Sequence, residues 1–322
     1  MPHSLQNKTV LVTGGAGFVG SHMCERLLKE GAKVICFDNL STGKHENIAA
    51  CKKSENFIFW QGDVNVLDDI RGVFLEHPID YVFHYAATVG VKRVWEKPFA
   101  VLRDIDGIKN ILDLSLMRGV KKVIYSSSSE AYGELAGEMA EDGLHNPNTR
   151  DVYALTKLIG ENIFLGYYEK YKMPTTALRF FNIYGPRQES SDYGFVVGVF
   201  IRQVLNGEPP TVFGDGSQNR DFVYVDDNIE ISLRALLNKE ADGQVINIGK
   251  GKPTTILELA NAIIDISGLD LKPKILPDRP NDIRYRLPDT TRMKKILGVE
   301  ATTQLAEGLK KTFVWYKENA PK

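Results

Sequence analysis

Two side chains able to move a proton stand close together in the segment Tyr153-Ala154-Leu155-Thr156-Lys157. In a helix this spacing places Tyr153 and Lys157 on the same face. A tyrosine ordinarily ionises near pH 10 and is a poor base at neutral pH, but a neighbouring ammonium lowers its pKa by favouring the phenolate. The phenolate could then take the proton of a hydroxyl as hydride leaves the adjacent carbon. Because this spacing also arises by chance, a core tyrosine beside a solvated lysine is the alternative.

A run of hydroxyl and carboxyl side chains follows a predicted strand, in Ser126-Ser127-Ser128-Ser129-Glu130. Side chains at the carboxyl end of a parallel strand face the ligand crevice of an α/β sheet. We expect Ser128 to hydrogen-bond the reacting hydroxyl and help to move its proton. For Glu130 the alternative is a carboxylate that caps local backbone amides.

A glycine-rich turn joins the first predicted strand to a helix, in Thr13-Gly14-Gly15-Ala16-Gly17-Phe18-Val19-Gly20. Such glycines permit close approach to a pyrophosphate, and the free N–H groups of the following helix attract that anion. Asp38 ends the next strand, where a carboxylate binds ribose hydroxyls and repels a 2′-phosphate, so the sequence favours NAD over NADP. Gly62-Asp63-Val64, after the third strand, is placed to contact the adenine.

Short apolar strands alternate with helical stretches through the first half of the chain. This alternation indicates right-handed crossovers and a Rossmann-type, doubly wound parallel sheet of the α/β class. The predicted strands are Lys8–Thr13, Lys33–Asp38, Asn56–Trp60, Asp80–His84, Lys122–Ser126 and Thr175–Phe181, and the first four helices are Gly17–Glu30, Asp68–Glu76, Pro98–Arg118 and Val152–Tyr171.

After Tyr184, proline, glycine and polar residues interrupt the pattern. We expect a Rossmann domain over residues 1–184, completed by the returning segment 221–250, and a smaller α/β substrate-binding domain over 185–322. Further helices are predicted at Val196–Asn206, Asp226–Leu237, Thr255–Ile266 and Leu305–Asn319.

Bulk properties exclude several classes of protein. The 322 residues are 43% hydrophobic, with a net charge of -1, which argues against nucleic acid or an anionic membrane as a partner. No apolar run is long enough to span a bilayer, and the polar N-terminus has no signal-peptide core. Three cysteines without metal-type spacing predict ordinary thiols, no metal site and a cytoplasmic location.

Taken together, these motifs resemble the extended short-chain dehydrogenase/reductase family, specifically its nucleotide-sugar epimerases, dehydratases and decarboxylases. The resemblance covers nearly the whole chain. It rests also on His84-Tyr85-Ala86-Ala87, Arg179-Phe180-Phe181-Asn182-Ile183-Tyr184-Gly185-Pro186-Arg187, Gly214–Asp227 and Arg279-Pro280-Asn281-Asp282.

The resemblance implies an NAD enzyme that oxidises a sugar at C4, with Tyr153 as base, Lys157 positioning NAD and Ser128 orienting the hydroxyl. It implies a nucleotide-sugar substrate, a UDP-sugar first, with Asn182, Arg220 and Arg279 on the diphosphate and Asp282 on the nucleotide ribose. The residues expected to bind NAD are Gly14, Gly17, Phe18, Val19, Gly20, Asp38, Asn39, Ser41, Asp63, Val64, Ala86, Ala87, Tyr153 and Lys157.

The resemblance leaves the later chemistry open between epimerase, decarboxylase and 4,6-dehydratase. Dehydratases carry an Asp-Glu pair where this chain has Ser129-Glu130. Ser128-Ser129-Glu130 and Arg286 resemble UDP-glucuronate decarboxylases, whereas the loop 88–93 departs from them. We favour the epimerase. A non-catalytic NAD-binding regulator is a weaker alternative, because such proteins usually lack the tyrosine or the lysine.

The family also implies a homodimer. The helical stretches Pro98–Arg118 and Val152–Tyr171 carry more apolar residues than one sheet face should cover. Paired copies of these helices would form a four-helix bundle with an isologous interface.

Overall fold

A computed structural model describes residues 5–90, 94, 96, 98–133, 137–143, 145, 151–191, 195–278 and 284–319. The strands are β1 (Thr9–Thr13), β2 (Lys33–Asp38), β3 (Phe57–Gln61), β4 (Tyr81–His84), β5 (Lys122–Ser128), β6 (Glu138–Met139), β7 (Thr175–Phe180), β8 (Ile183–Tyr184), β9 (Thr211–Phe213), β10 (Asn219–Asp221), β11 (Val223–Tyr224), β12 (Gln244–Ile248), β13 (Pro253–Thr255), β14 (Lys274–Leu276) and β15 (Tyr285–Pro288). The α-helices are α1 (Phe18–Lys29), α2 (Leu67–Glu76), α3 (Pro98–Arg118), α4 (Val152–Tyr171), α5 (Val196–Leu205), α6 (Val225–Leu237), α7 (Ile256–Ser267), α8 (Thr291–Leu297) and α9 (Leu305–Asn319).

A seven-stranded parallel sheet forms the centre of the fold, in the order β12-β7-β5-β4-β1-β2-β3. Its strands are apolar on both faces because helices cover both. In β1, Val10 and Val12 belong to one hydrophobic core and Leu11 to the other, as the alternation of side chains along a strand requires. Helices α1 and α6 cover the first face, and α2, α3 and α4 cover the second. This is the Rossmann-type doubly wound fold expected from the sequence.

The order of the strands creates a crevice at the carboxyl end of β1. The chain runs from β1 to β2 and β3 on one side, and then returns to place β4 on the other side of β1. The connections on the two sides therefore diverge at β1 and β4, where ligands bind in open α/β sheets.

A smaller sheet, β13-β10-β15-β6, lies beyond the main one and is accompanied by the strand pairs β11-β8 and β14-β9. Helices α5, α7 and α9 pack against one another in this part of the chain. The seventh strand of the main sheet, β12, comes from the returning segment 221–250. The division into domains at residues 184 and 185 stays a prediction.

The regular elements follow the sequence pattern closely. The predicted bounds of α3, α4 and α9 coincide with the observed ones, and the predicted strands end within two residues of theirs. Strand β12 and the short helix α8 were not assigned individually from the sequence. All three cysteines are buried free thiols. In the described parts of the chain, no helix is long and apolar enough to cross a membrane.

Candidate active site

The glycine-rich turn brings the start of α1 against the loop that follows β4. Gly14 has a φ of +67°, and a Cβ there would lie 2.8 Å from the backbone nitrogen of Ala86. A Cβ at Gly20 would lie 2.1 Å from the carbonyl oxygen of Gly14. Side chains at either position would force the turn, the helix and the loop apart. The close approach leaves the N-terminus of α1 open to an anion, the arrangement that binds a dinucleotide pyrophosphate.

Asp38, at the end of β2, is held beside this turn. Its carboxylate accepts hydrogen bonds from the backbone nitrogens of Ala16, at 3.0 Å, and Leu40, at 2.8 Å. Burial raises the pKa of Asp38, and the two backbone hydrogen bonds oppose that shift. The carboxylate is therefore fixed at the rim of the crevice, where it can meet ribose hydroxyls.

One cleft of about 1340 Å³ joins this turn to the ends of β4, β5 and β7. Every side chain or backbone segment expected to bind NAD lines this cleft, as do Ser128, Glu130 and Asn182. Residues far apart in sequence therefore converge on one cavity that reaches from Asp38 to Tyr153.

Tyr153 and Lys157 lie on the first turns of α4 and face the cleft. Lys157 is buried and donates a hydrogen bond of 2.7 Å to the carbonyl oxygen of Ser126. Its Nζ lies 5.6 Å from the ring centroid of Tyr153. The side chain of Ser128 lies close enough to the Tyr153 hydroxyl to influence its pKa. Helix α4 and strand β5 thus bring the three expected catalytic side chains together.

Burial shifts both titratable groups of this constellation toward their neutral forms. It lowers the pKa of Lys157 to about 8, and the negative charges of Asp104 and Glu161 oppose the shift. Burial also raises the pKa of Tyr153 above its usual value, and the neighbouring Ser128 side chain opposes that shift. The lowered tyrosine pKa expected from the sequence is not found in the protein alone.

A buried ion pair joins helix α4 to strand β7. The guanidinium of Arg179, from β7, donates bonds of 2.8 and 2.7 Å to the two carboxylate oxygens of Glu161. Ser127 donates a 2.5 Å bond to the same carboxylate. The Ser127 hydroxyl is therefore engaged by Glu161, whereas the hydroxyl of its neighbour Ser128 accepts a bond from the backbone nitrogen of Glu130.

Glu130 forms an ion pair with Arg286 of β15. Arg286 is buried and also donates a 2.9 Å hydrogen bond to the carbonyl oxygen of Gly133. The Glu130 carboxylate thus contacts a side chain in place of the backbone amides considered for it. The backbone nitrogen of Glu130 donates a 3.2 Å hydrogen bond to Ser128 Oγ. The small sheet reaches the active-site cleft through this pair.

The other expected substrate ligands are placed differently. Asn182 lines the cleft and donates to the carbonyl oxygen of Asp221 at 3.0 Å. Arg220 pairs in register with Arg286, and its side chain donates to the carbonyl oxygen of Asn219. Among the described residues, Arg220 and Arg286 stand outside the set that lines the cleft. Arg279 and Asp282 lie outside the described residues, as do residues 91–93 of the loop after β4.

Several charged side chains of the cleft were given no role from the sequence, among them Asp104, Asp151 and Arg187. Asp104 lies on the buried face of α3, three residues after Val101 and four before Ile108, so helical periodicity could have revealed it. Asp151 caps α4 by accepting a bond from the backbone nitrogen of Ala154. Arg187 donates to Glu25 of α1 at 2.5 Å, a contact that has no signal in the sequence.

The fold and this cleft define a dinucleotide-binding protein with a tyrosine and lysine pair at the carboxyl edge of its sheet. The family model that matches the chain, over residues 10–249, is the NAD dependent epimerase/dehydratase family. A UDP-N-acetyl-alpha-D-glucosaminuronate decarboxylase of Bacillus cytotoxicus is 36% identical over 97% of this chain and 98% of its own. A UDP-glucose 4-epimerase of Mycolicibacterium smegmatis is 35% identical over 96% and 99%.

A solved structure gives the same result. The UDP-glucose 4-epimerase of Thermotoga maritima, solved with UDP-glucose, matches with a TM-score of 0.91 and 36% identity, over 97% of this chain and all of its own. The chain belongs to the NAD-dependent epimerase/dehydratase family and is an enzyme of that family with NAD as its cofactor. The close approach at Gly14 and Gly20 and the fixed carboxylate of Asp38 fit this cofactor.

Asp38 should set the preference for NAD. We expect the wild-type protein to bind NAD much more tightly than NADP, because a buried carboxylate repels a 2′-phosphate. Asp38→Asn removes that repulsion and should lower the ratio of NAD affinity to NADP affinity by roughly tenfold. This is the factor that about one pKa unit of differential interaction represents. Calorimetric titration with both cofactors measures the ratio, with exposed Asp68→Asn of α2 as the control. A ratio unchanged in Asp38→Asn would contradict this role.

Proposed function

We propose that the protein is a nucleotide-sugar 4-epimerase that oxidises the sugar at C4 to a ketone and reduces it again from the opposite face. The observation that carries this proposal is the convergence of Tyr153, Lys157 and Ser128 in the cleft that begins at the glycine-rich turn. The names of the Mycolicibacterium and Thermotoga relatives support a UDP-sugar as the substrate.

In this mechanism the protein's own side chains bind, orient and move a proton. Bound NAD supplies the hydride acceptor and, once reduced, the donor. Ser128, whose side chain neighbours Tyr153 in the cleft, holds the sugar hydroxyl beside the phenolic oxygen. Tyr153 takes that proton during oxidation and returns it during reduction. Lys157, anchored on the carbonyl oxygen of Ser126, places a positive charge below the Tyr153 ring and stabilises the phenolate.

The diphosphate of the substrate would lie beyond the sugar, toward the small sheet. Asn182 is the expected ligand that lines the cleft. Arg220 and Arg279 stay proposals for the same group, because guanidinium groups donate paired hydrogen bonds to phosphate oxygens. Asp282 stays a proposal for the nucleotide ribose.

Tyr153→Phe tests the common first step. General base catalysis contributes roughly 10²- to 10⁴-fold, so turnover should fall by that factor while NAD still binds. Incubation with a panel of nucleotide-sugars, followed by mass spectrometry and chromatographic separation of epimers, measures the products. An unchanged mass with a new epimer supports epimerisation, whereas loss of carbon dioxide or of water points to the other branches. Full activity of Tyr153→Phe would overturn the catalytic assignment.

A UDP-glucuronate-type decarboxylase is the second candidate. The ion pair of Glu130 with buried Arg286 favours it, because it places a carboxylate in the cleft beside Ser128 and a guanidinium behind that carboxylate. The arginine could hold a sugar carboxylate, and Glu130 could move a proton on the 4-keto sugar. The identity to a Bacillus decarboxylase that acts on a UDP-sugar acid also supports it.

Glu130→Gln separates the two candidates. Epimerisation needs only the return of hydride, so the epimerase hypothesis predicts nearly intact turnover and little accumulation of reduced cofactor. A decarboxylase that uses Glu130 on the ketone would stall after oxidation, and enzyme-bound NADH would accumulate. Stopped-flow absorbance of the reduced nicotinamide distinguishes these outcomes, and Glu138→Gln, at the exposed position of β6, is a control for the lost charge. Strong accumulation without release of an epimer would move the assignment to the decarboxylase.

We also propose that the protein is a homodimer built on α3 and α4. These helices pack together on one face of the sheet and still expose large apolar side chains. Phe99 is 80% exposed and Leu102 42% on α3, and Ile159 is 40% exposed on α4. A second copy related by a two-fold axis would cover this surface with the same surface.

A variant with Phe99→Glu and Ile159→Glu should disrupt this dimer. Sedimentation velocity at micromolar concentration should give about twice the 36.1 kDa chain mass for the wild type and one chain mass for the variant. Leu75→Glu, at an exposed position of α2, is the matched control and should stay dimeric. A monomeric wild-type protein would refute the proposal.

A further inference from the structure

Asp104 is a buried carboxylate in the active-site cleft that the mechanism above does not use. It lies on α3 between Val101 and Ile108, which both belong to the apolar face of that helix, and it is 9% exposed. A buried carboxylate is costly unless it is hydrogen-bonded and balanced by a positive charge. Asp104 therefore requires both a hydrogen-bond donor and a positive charge nearby.

The hydrogen-bond partners of Asp104 come from the loop after β4. Its Oδ2 accepts a 2.7 Å bond from the backbone nitrogen of Thr88, and its Oδ1 accepts a 3.2 Å bond from Thr88 Oγ1. Thr88 directly follows Ala86 and Ala87, which line the cofactor cleft. The carboxylate thus holds this loop against α3.

The positive charge that faces Asp104 is Lys157. Both side chains border a small cavity behind Tyr153, together with His84 and Tyr125. Two carboxylates, Asp104 and Glu161, act on the Lys157 ammonium. The negative charge of Glu161 is already balanced by its bidentate ion pair with Arg179.

We propose that Asp104 is a positioning residue that supplies the negative charge holding Lys157 protonated in its buried site. Through its bonds to Thr88, the same carboxylate ties the cofactor loop to the lysine and tyrosine pair. The inference rests on the proposed roles of Tyr153 and Lys157 and adds a residue to them.

The charged and titratable groups around this pair come from each packed element. Tyr153 faces Glu130 after β5, Asp104 of α3 and Asp151 at the start of α4, and each negative charge raises its pKa. Lys157 faces Asp104 and Glu161. His84 of β4 has a pKa lowered to about 3 by burial, so it is neutral and adds no charge. Tyr125 of β5 has a pKa raised by burial and is also neutral.

The negative charge of Asp104 determines the direction in which the activity profile shifts with pH. Removing the negative charge of Asp104 lowers the pKa of Lys157 below its value of about 8, and it lowers the pKa of Tyr153 as well. The reaction requires deprotonated Tyr153 and protonated Lys157, so the pKa values of these two groups set the two limbs of the activity profile. Both limbs should therefore move to lower pH.

Asp104→Asn tests the proposal because the amide keeps the shape and loses the charge. The profile of kcat/KM against pH should move about one pH unit lower, as expected for a nearby charge. Thr88→Val removes one hydrogen bond and keeps the charge, so it should raise KM for NAD without moving the profile. Asp106→Asn, two residues along α3 and exposed, is the control for charge and should match the wild type.

A second measurement does not depend on activity. Nuclear magnetic resonance titration of 15N-lysine in the cofactor-free protein, with Lys157→Met for assignment, gives the pKa of Lys157 directly. In Asp104→Asn that pKa should fall by about one unit.

Three outcomes would overturn the inference: an unchanged lysine pKa, a uniform loss of activity at every pH, or an equal shift in Thr88→Val. Full activity of Tyr153→Phe would instead overturn the proposed function, and the lysine titration would still report on Asp104.

Discussion

A buried ion pair between Glu161 of α4 and Arg179 of β7 determines where the reactive groups lie. The pair is joined by Ser127 of β5, so one helix and two strands meet at a single carboxylate. Both side chains are only 2% exposed, and a buried charge left without its partner costs about 3–5 kcal/mol. Helix α4 therefore cannot slide or turn without breaking the pair. Lys157 and Tyr153 lie one and two turns before Glu161 and take their positions from it.

The topology of the sheet then decides what these groups meet. Because β4 and β2 lie on opposite sides of β1, the glycine-rich turn opens into a crevice at the carboxyl edge. Strand β5 ends at Ser128 on the same edge, next to the side chains of α4. The cofactor and the reacting hydroxyl are thereby brought to one place by rigid elements rather than by loops.

The small sheet contributes a contact that changes the chemistry available in the cleft. Arg286 reaches from β15 to Glu130 and Gly133, which follow β5 of the main sheet. A carboxylate beside Ser128 that is paired with a guanidinium behind it is more than hydride transfer requires. Because of this contact, a decarboxylase is the second candidate function beside the epimerase.

The sequence by itself determined the Rossmann-type class, the bounds of α3 and α4, the glycine-rich turn and the place of Asp38. These features are local, since the period of apolar residues and the conformation of glycine act over a few neighbouring positions. Four features were decided only by the tertiary structure: the pairing of Glu130 with Arg286, the place of Asp104 and Lys157 at one small cavity, the hydrogen bond of Ser127 to Glu161 and the place of β12 beside β7. Each joins segments distant in sequence, and such contacts depend on strand order and packing, which the local pattern of residues does not encode.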